Sequence, residues 1–347
     1  MKKSYLIVGQ GIAGSCLGLQ LENQGHNVNF IDNHHQNAAS LVAAGLINPI
    51  TGKRIVKSWN VDILLPYAIN FYHKIAQDFQ VNLVYPLNII RLLHNQMEEN
   101  DWESRTSIDD LKAYVVENEE NNWLKNIKIP FSYGEITQSY RIDIGLLIKN
   151  YKNKLIHNNQ IQFHPFDFQS IIFNNNSVAY QKKEYDGIIF CEGAQMSANP
   201  FFNYLPLKPT KGEALFVNYP FEFPKIIKNK TAFVPLGKNE YWIGGTNDWN
   251  DQNNEPTLEK QTLMQQEWHE LLYPNLFSIQ NHRAAIRPAT KDRFPFLGKH
   301  PEHPNLFIFN GFGTKATLLT PYLSNHFVDF LTKNTSLMQE VNCNRFN

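Results

Sequence analysis

The sequence predicts an α/β fold in which pieces of a parallel-stranded layer alternate with strand-rich insertions. Three observations predict it. The chain opens as strand, glycine turn, helix and second strand. A short continuous apolar run, Ile188–Cys191, ends in Gly193 far downstream, as a strand buried on both faces does. Near the end, Asn305–Phe309 reads as a strand that leads through Gly311 and Gly313 into an apolar-periodic helix. Between these stations, residues 81–135 and 206–246 carry strand signals without helical crossovers.

Taken in order, Ser4–Val8 is the first strand and Gly9-Gln10-Gly11-Ile12-Ala13-Gly14 its exit turn. Gly9 permits the tight turn, Gly11 lets a pyrophosphate approach bare backbone, and Gly14 lets the helix pack on the sheet. Ile12, Cys16, Leu17, Leu19 and Leu21 give that helix its buried face, and Gly25 stands at a C-cap position. Val28–Asp32 is the second strand; Asp32 lies 18 residues after Gly14 (32 − 14), where a carboxylate accepts from an adenosine ribose. The context is that of a Rossmann-like dinucleotide site. The alternative is an ordinary βαβ unit with a glycine turn and no ligand.

A polar stretch, 33–37, follows, and then Ser40 with the small residues Ala43, Ala44 and Gly45, which let backbone lie against something flat. Trp59–Phe79 has helical apolar spacing through Leu64, Leu65, Ala68, Phe71, Tyr72 and Ile75. Asp143 is an N-cap for a helix over Ile144–Leu155. Strands are predicted at Ile161–Phe163, Ser170–Phe173, Ser177–Gln181, Glu213–Val217, Thr231–Val234 and Glu240–Ile243, the last ending in Gly244-Gly245-Thr246. Helices close the pattern at Leu258–Leu272 and Leu318–Leu331. The interleaving implies two domains: 1–55, 136–205 and 284–347 form the nucleotide-binding one, and 56–135 with 206–283 form the other.

Lys+Arg equals Asp+Glu at 32 each, so no global field draws the chain to nucleic acid or an anionic membrane. The run Lys225-Ile-Ile-Lys228-Asn-Lys230 reads as a solvated basic face. The cysteines, Cys16, Cys191 and Cys343, are odd in number and widely spaced, which predicts neither a disulfide framework nor a metal cluster. His34-His35 reads as solvated loop, and His282 and His300 as structural. The apolar run after Met1-Lys2-Lys3 stops at Gly9, too short for a signal peptide, and no segment is long enough to span a membrane. A cytoplasmic location is expected.

Four stretches together resemble the D-amino-acid oxidase and glycine oxidase family of FAD-dependent oxidoreductases. They are the glycine turn with Asp32, the segment Ser40…Ala43-Ala44-Gly45, the strand Ile188–Ala194, and residues 283–321. The last is the most specific, with Arg287-Pro288-Ala-Thr290-Lys-Asp292-Arg-Phe-Pro295-Phe-Leu297-Gly298 followed by Asn310-Gly311-Phe312-Gly313-Thr314-Lys315. The resemblance implies a Rossmann-like FAD-binding domain and a substrate domain on a mixed, largely antiparallel sheet. It implies FAD contacts from Gly9, Gly11, Ile12, Ala13, Gly14, Asp32, Asn33, Ser40, Ala43, Ala44, Gly45, Phe166 and Gly193. It adds Phe312, Gly313, Thr314, Lys315, Ala316, Thr317 and Leu318 at the flavin edge, where a helix N-terminus favours the anionic reduced ring.

Arg287 matches the arginine that anchors the substrate carboxylate in the family, a task suited to a bidentate fork, with Thr314 beside it. The alternative for Arg287 is a structural ion pair with Asp292. The implied reaction oxidises the carbon–nitrogen bond of an amino acid or N-substituted glycine by hydride transfer to flavin N5. No catalytic residue and no metal ligand is named, and the electron acceptor is oxygen or an unidentified oxidant. Ala316 and Ala232 depart from the family pattern and argue against glycine or sarcosine as substrate. Three alternatives stay open. The Ala44–Pro49 run resembles the branch that modifies a carboxymethylaminomethyl wobble uridine of tRNA, against which stands the zero net charge. The others are an NAD-dependent dehydrogenase and a non-catalytic FAD-binding protein.

Overall fold

The computed structural model describes residues 2–34, 37–52, 54–117, 122–273 and 276–346. Its first large sheet has six strands, in the order Ile161–Phe163, Asn27–Asp32, Ser4–Val8, Gly187–Phe190, Leu306–Asn310 and Phe296–Lys299. Neighbours run parallel except the last pair. Ser4–Val8 lies inside the sheet with Asn27–Asp32 on one side and Gly187–Phe190 on the other, so a crevice opens beyond its carboxyl end. Ile188, Ile189 and Phe190 are fully buried, as their uninterrupted apolar run requires.

The helix Ile12–Asn23 covers this sheet and packs against the last long helix, Ala316–Lys333. The helix Val61–Phe79 packs on the same partner, with the Tyr72 hydroxyl donating to the Thr317 carbonyl at 2.8 Å. Gly25, at φ +84°, closes the first helix, its N–H bonding to Glu22 O and that of His26 to Leu21 O. Asp143 caps Ile144–His157 by accepting from Leu146 N at 2.9 Å.

The second large sheet has eight strands: Ser278–Arg287, Thr210–Asn218, Glu240–Gly244, Ala232–Gly237, Ile226–Lys228, Ile89–Leu93, Ser132–Ile136 and Val115–Val116. Only Ile226–Lys228 and Ile89–Leu93 pair in parallel. Its faces are distinct. Leu215, Val217, Ile227, Phe233, Tyr241 and Ile243 pack under the helix Leu258–Leu271 with Met264 and Trp268. Ala214, Ile226, Ala232, Val234, Trp242 and Ala285 join the core shared with the helices of the first sheet. The fold class is thus the α/β one with a mixed, largely antiparallel second sheet.

Two local expectations are corrected. The run Lys225–Lys230 is no solvated face: Ile226 and Ile227 are fully buried in the interior of the second sheet. Lys225 pairs with the buried Glu135 at 2.6 Å. The lysines bracket two isoleucines that point to opposite faces, so charge alone misleads there. The strand foreseen at Ser170–Phe173 begins at Ile172, because Asp167 accepts from Gln169 N and the Ser170 hydroxyl and winds Phe168–Ser170 into a 3-10 turn. Among the described residues no helix is long and apolar enough to cross a membrane.

Candidate cofactor and substrate site

The carboxyl end of Ser4–Val8 forms a cradle without side chains. Gly9 turns at φ +99°, and a methyl on it would sit 2.5 Å from the Cys191 carbonyl oxygen. A methyl on Gly14 would sit 2.0 Å from the Gly9 carbonyl oxygen, so only glycine lets the helix start so close to the strand. Gly11 caps Ile12–Asn23 without a side-chain hydrogen bond, and the Ser40 hydroxyl accepts from Ile12 N at 3.1 Å. The N–H groups of Ala13 and Gly14 have no intrahelical acceptor and face the crevice end, a ready anion site. Asp32 accepts from Gln10 N at 2.7 Å and His34 N at 2.8 Å, and its oxygens keep lone pairs for further donors.

Gly193 sits at φ +58° with open space where a Cβ would stand, and its carbonyl accepts from Asn310 Nδ2 at 2.8 Å. Asn33 is exposed and donates to Gln195 Oε1. Ala43 and Ala44 follow the short helix Ala39–Val42, and Gly45, at φ +72°, lies against the Ile142 carbonyl. The Phe166 ring is occupied in packing, stacked on Tyr180 with centroids 4.6 Å apart. His34 is exposed, as a solvated loop residue is, while His35 lies outside the described residues. His300 Nδ1 accepts from Glu302 N and His303 N, a structural turn.

Residues 311–318 form a second glycine turn into a helix. Gly311 and Gly313 take φ +83° and +54°, and Phe312 anchors the turn by packing on Phe309. Lys315 stands at the N-cap of Ala316–Lys333 without a side-chain cap, so the first-turn N–H groups at Ala316 and Thr317 point outward. Thr314 is exposed, while Thr317 and Leu318 are buried. Burial pushes the half-buried Lys315 ammonium below the usual lysine range, helped by the charge of Arg293.

Arg287 ends the strand Ser278–Arg287 directly beside this turn: Gly313 N donates to the Pro288 carbonyl at 3.1 Å. Its Nη1 donates to Thr246 O at 2.8 Å and Asn247 Oδ1 at 2.9 Å. Its Nη2 rests over bare backbone, where a methyl on Gly212 would come within 1.9 Å and one on Gly245 within 2.6 Å. Among the described residues no carboxylate pairs with it. Asp292, the suspected partner, binds Arg345 instead. Desolvation pushes the Arg287 guanidinium down to about 10, so at neutral pH it is a poorly solvated cation.

The sheet face beneath Arg287 is tied to the segment that follows Ser40. Arg283 Nη1 donates to Leu41 O at 3.1 Å, and Trp242 Nε1 donates to Val42 O at 2.9 Å. The Trp242 ring lies over Gly244, its Cη2 2.7 Å from where a Cβ would be. Thr246, Asn247 and Trp242 stand in no motif that marks them as site residues in the sequence. The Gly244-Gly245 pair at a strand end was their one visible signal, a mark of close backbone approach. Among the described residues no group of histidine, cysteine, aspartate and glutamate is arranged to hold a metal ion.

A family model described as DAO, FAD dependent oxidoreductase, matches residues 4–329. In sequence, the chain is 22% identical to the bifunctional tRNA 5-methylaminomethyl-2-thiouridine biosynthesis protein MnmC of Acinetobacter baylyi, over 99% of this chain. It spans only 56% of that relative's length. In structure, it is similar to iminodiacetate oxidase from Chelativorans sp. BNC1, with a TM-score of 0.81 and 18% identity over 97% of this chain and 98% of that one. Glycine oxidase from Geobacillus kaustophilus gives 0.79 and 18% over 97% and 96%. At such identities the structural likeness shows the fold.

Proposed function

Because the chain belongs to the DAO family of FAD-dependent oxidoreductases, we propose that it oxidises the carbon–nitrogen bond of an amino acid or N-substituted glycine. The observation that carries this reading is the Arg287 guanidinium, half-buried, without a carboxylate partner among the described residues, and one residue from the contact with Gly313. A fixed fork of donors suits a carboxylate, and Thr246 and Asn247 hold the fork in orientation. Bound FAD supplies the two-electron acceptance. The backbone N–H groups of Gly11, Ala13 and Gly14 would hold its pyrophosphate and Asp32 its ribose. Ser40, Ala43, Ala44 and Gly45 border the path between, and the N–H groups at Ala316 and Thr317 favour negative charge at the flavin edge. Arg287 contributes by fixing the acid group, which converts an encounter into a defined orientation. No side chain is assigned as a general base, and none is needed if the amine binds in its neutral form.

Anaerobic bleaching of the flavin absorbance by a panel of amino acids and N-alkylglycines tests this reading. Reduction by at least one member, weakened by Arg287→Ala, is the expected result. Reduction that is indifferent to Arg287→Ala overturns it.

A second reading is favoured by the length of the MnmC match, which covers almost the whole chain. In it the amine is carried on tRNA. Salt-dependent retention of tRNA by the holoprotein, with no reduction by free amino acids, would replace the first reading with this one.

A further inference from the structure

The row of cross-strand partners through Gly244, next to the Gly245 backbone beneath Arg287, starts at Arg283 and ends in two more cations. From Gly244 the register runs to Ala232, from Ala232 to Lys228, and from Lys228 to Arg91. Residues so paired share a face, here the one whose Ile226, Ala232 and Val234 pack toward the helices of the first sheet. At about 4.8 Å per strand step, Lys228 lies about 10 Å from Gly244 and Arg91 about 14 Å. Gly244 adjoins Gly245, over which the Arg287 guanidinium rests. Between the two ends stand two small residues, both buried. Gly244 has no side chain and lies under the Trp242 ring, and Ala232 contributes one methyl.

Lys228 and Arg91 are half-buried neighbours of like charge, an arrangement that sheets disfavour. Neither makes an ion pair among the described residues. Lys228 Nζ donates to Lys230 O at 2.6 Å and Arg91 Nη1 to Gly52 O at 3.0 Å. The nearby carboxylates are engaged: Glu267 accepts from Thr231 N and Oγ1, and Glu98 from His94 N. Desolvation pushes both cations below their ordinary ranges, Lys228 to about 8. Folding therefore sets two positive groups side by side, partly out of water and offset only through space by Glu267 and Glu98, so that an incoming anion in direct contact would neutralise them further.

We propose that Lys228 and Arg91 form a second anion subsite, so that the substrate carries an acidic group, carboxylate or phosphate, at the far end of a substituent. The proposal rests on the reading of Arg287 as the anchor of the first carboxylate.

The test uses wild-type holoprotein and ligands that need no turnover. Straight-chain dicarboxylates of increasing length are titrated against monocarboxylates of equal length, with binding read from perturbation of the flavin spectrum. At one length the diacid binds tighter by about tenfold or more, the value of one charge-assisted contact. Monoacids bearing a terminal phosphonate show which of the two anions is preferred. Lys228→Met and Lys228→Gln abolish the diacid advantage and leave monoacid binding unchanged, whereas Arg287→Ala weakens both. Arg91→Gln behaves like the Lys228 variants, with FAD content checking that each protein folds. No advantage at any length, or variants of Lys228 that weaken monoacids and diacids alike, overturns the subsite. If Arg287→Ala changes neither ligand, the anchor reading fails, and the subsite still stands or falls on the Lys228 variants.

Discussion

Asp292 faces Arg345, whose Nε donates to Oδ2 at 2.8 Å and whose Nη2 donates to Oδ1 at 3.3 Å. The carboxylate nearest to Arg287 in sequence is thereby engaged elsewhere, and among the described residues the guanidinium beside Gly313 has no carboxylate partner. Lys3 and Arg283 end on backbone carbonyls at Leu331 and Leu41. Arg287 differs from them in that its Nη2 lies over glycine backbone.

Replacement separates the two roles. Arg287→Lys keeps the charge and loses the fork, so carboxylate ligands should bind about 10- to 100-fold more weakly. Asp292→Asn should lower stability by about 1–2 kcal/mol through the loss of a partly buried charged pair, with ligand binding unchanged. Ligand titration of the flavin spectrum, paired with urea unfolding, checks both. Weaker binding in Asp292→Asn would mean that its pair with Arg345 shapes the site after all.

The loop that orients Arg287 is held by a buried lysine. Lys211, 1% exposed, donates to Asp251 Oδ2 at 2.6 Å and Asn253 Oδ1 at 2.9 Å, with Glu213 Oε1 at 3.7 Å. Its backbone exchanges hydrogen bonds with Asp248, and Glu213 N donates to the Thr246 hydroxyl. Lys211→Met takes the cation from Asp251 and from Glu213, which keeps its bonds from Thr257 and its contact with His282, and should destabilise by about 1–3 kcal/mol. Because Thr246 and Asn247 then lose their footing, carboxylate binding should weaken while FAD content is retained. A lowered urea midpoint with unaltered binding would show that the loop holds its shape without the lysine.

The parts of the molecule legible in the sequence are those in which neighbours in the chain act on each other. Gly9, Gly14 and Gly25 each mark a turn or close approach made within a few residues, and Asp143 caps the helix that follows it. Arg287 was readable from its own motif, but its setting was not. Thr246 and Asn247 reach it from forty residues away, and Gly212 from seventy-five. Lys228 shows the same limit more sharply. Its charge is visible in the sequence, but its burial comes from pairing with Ala232 and Arg91, one of them on a strand that is remote in the chain.

Glu192 gives a pH signature. Burial lifts its carboxyl from 4.5 to about 7, only partly opposed by the hydrogen bond from Asn199 Nδ2 at 2.7 Å. A folded-state value above the unfolded one means that the native state binds the extra proton. Its stabilisation is complete below about pH 4.5 and is lost as pH rises through about 7. The full swing is roughly 3 kcal/mol. Glu192→Gln should therefore match the wild type near pH 5 and exceed it near pH 8, both approximate, in urea unfolding of the apoprotein. Parallel profiles for the two proteins would place Glu192 in water.

Two glycines in two helices make the cradle itself testable. A methyl on Gly14 would meet the Gly9 carbonyl oxygen at 2.0 Å, backbone against backbone, with no flexible end to yield. Gly14→Ala must then push the start of Ile12–Asn23 off the strand and spoil the N–H cluster, so the purified protein should carry little FAD. Gly145 sits in the first turn of Ile144–His157, where the added methyl would lie 3.6 Å from Asp143 Oδ1, an ordinary contact. There the change removes backbone freedom from the unfolded chain and should stabilise by up to about 1 kcal/mol, with FAD content unchanged. The ratio of flavin to protein absorbance, read beside the urea midpoint, separates the two. Full FAD occupancy in Gly14→Ala would show that the pyrophosphate is held somewhere other than this helix start.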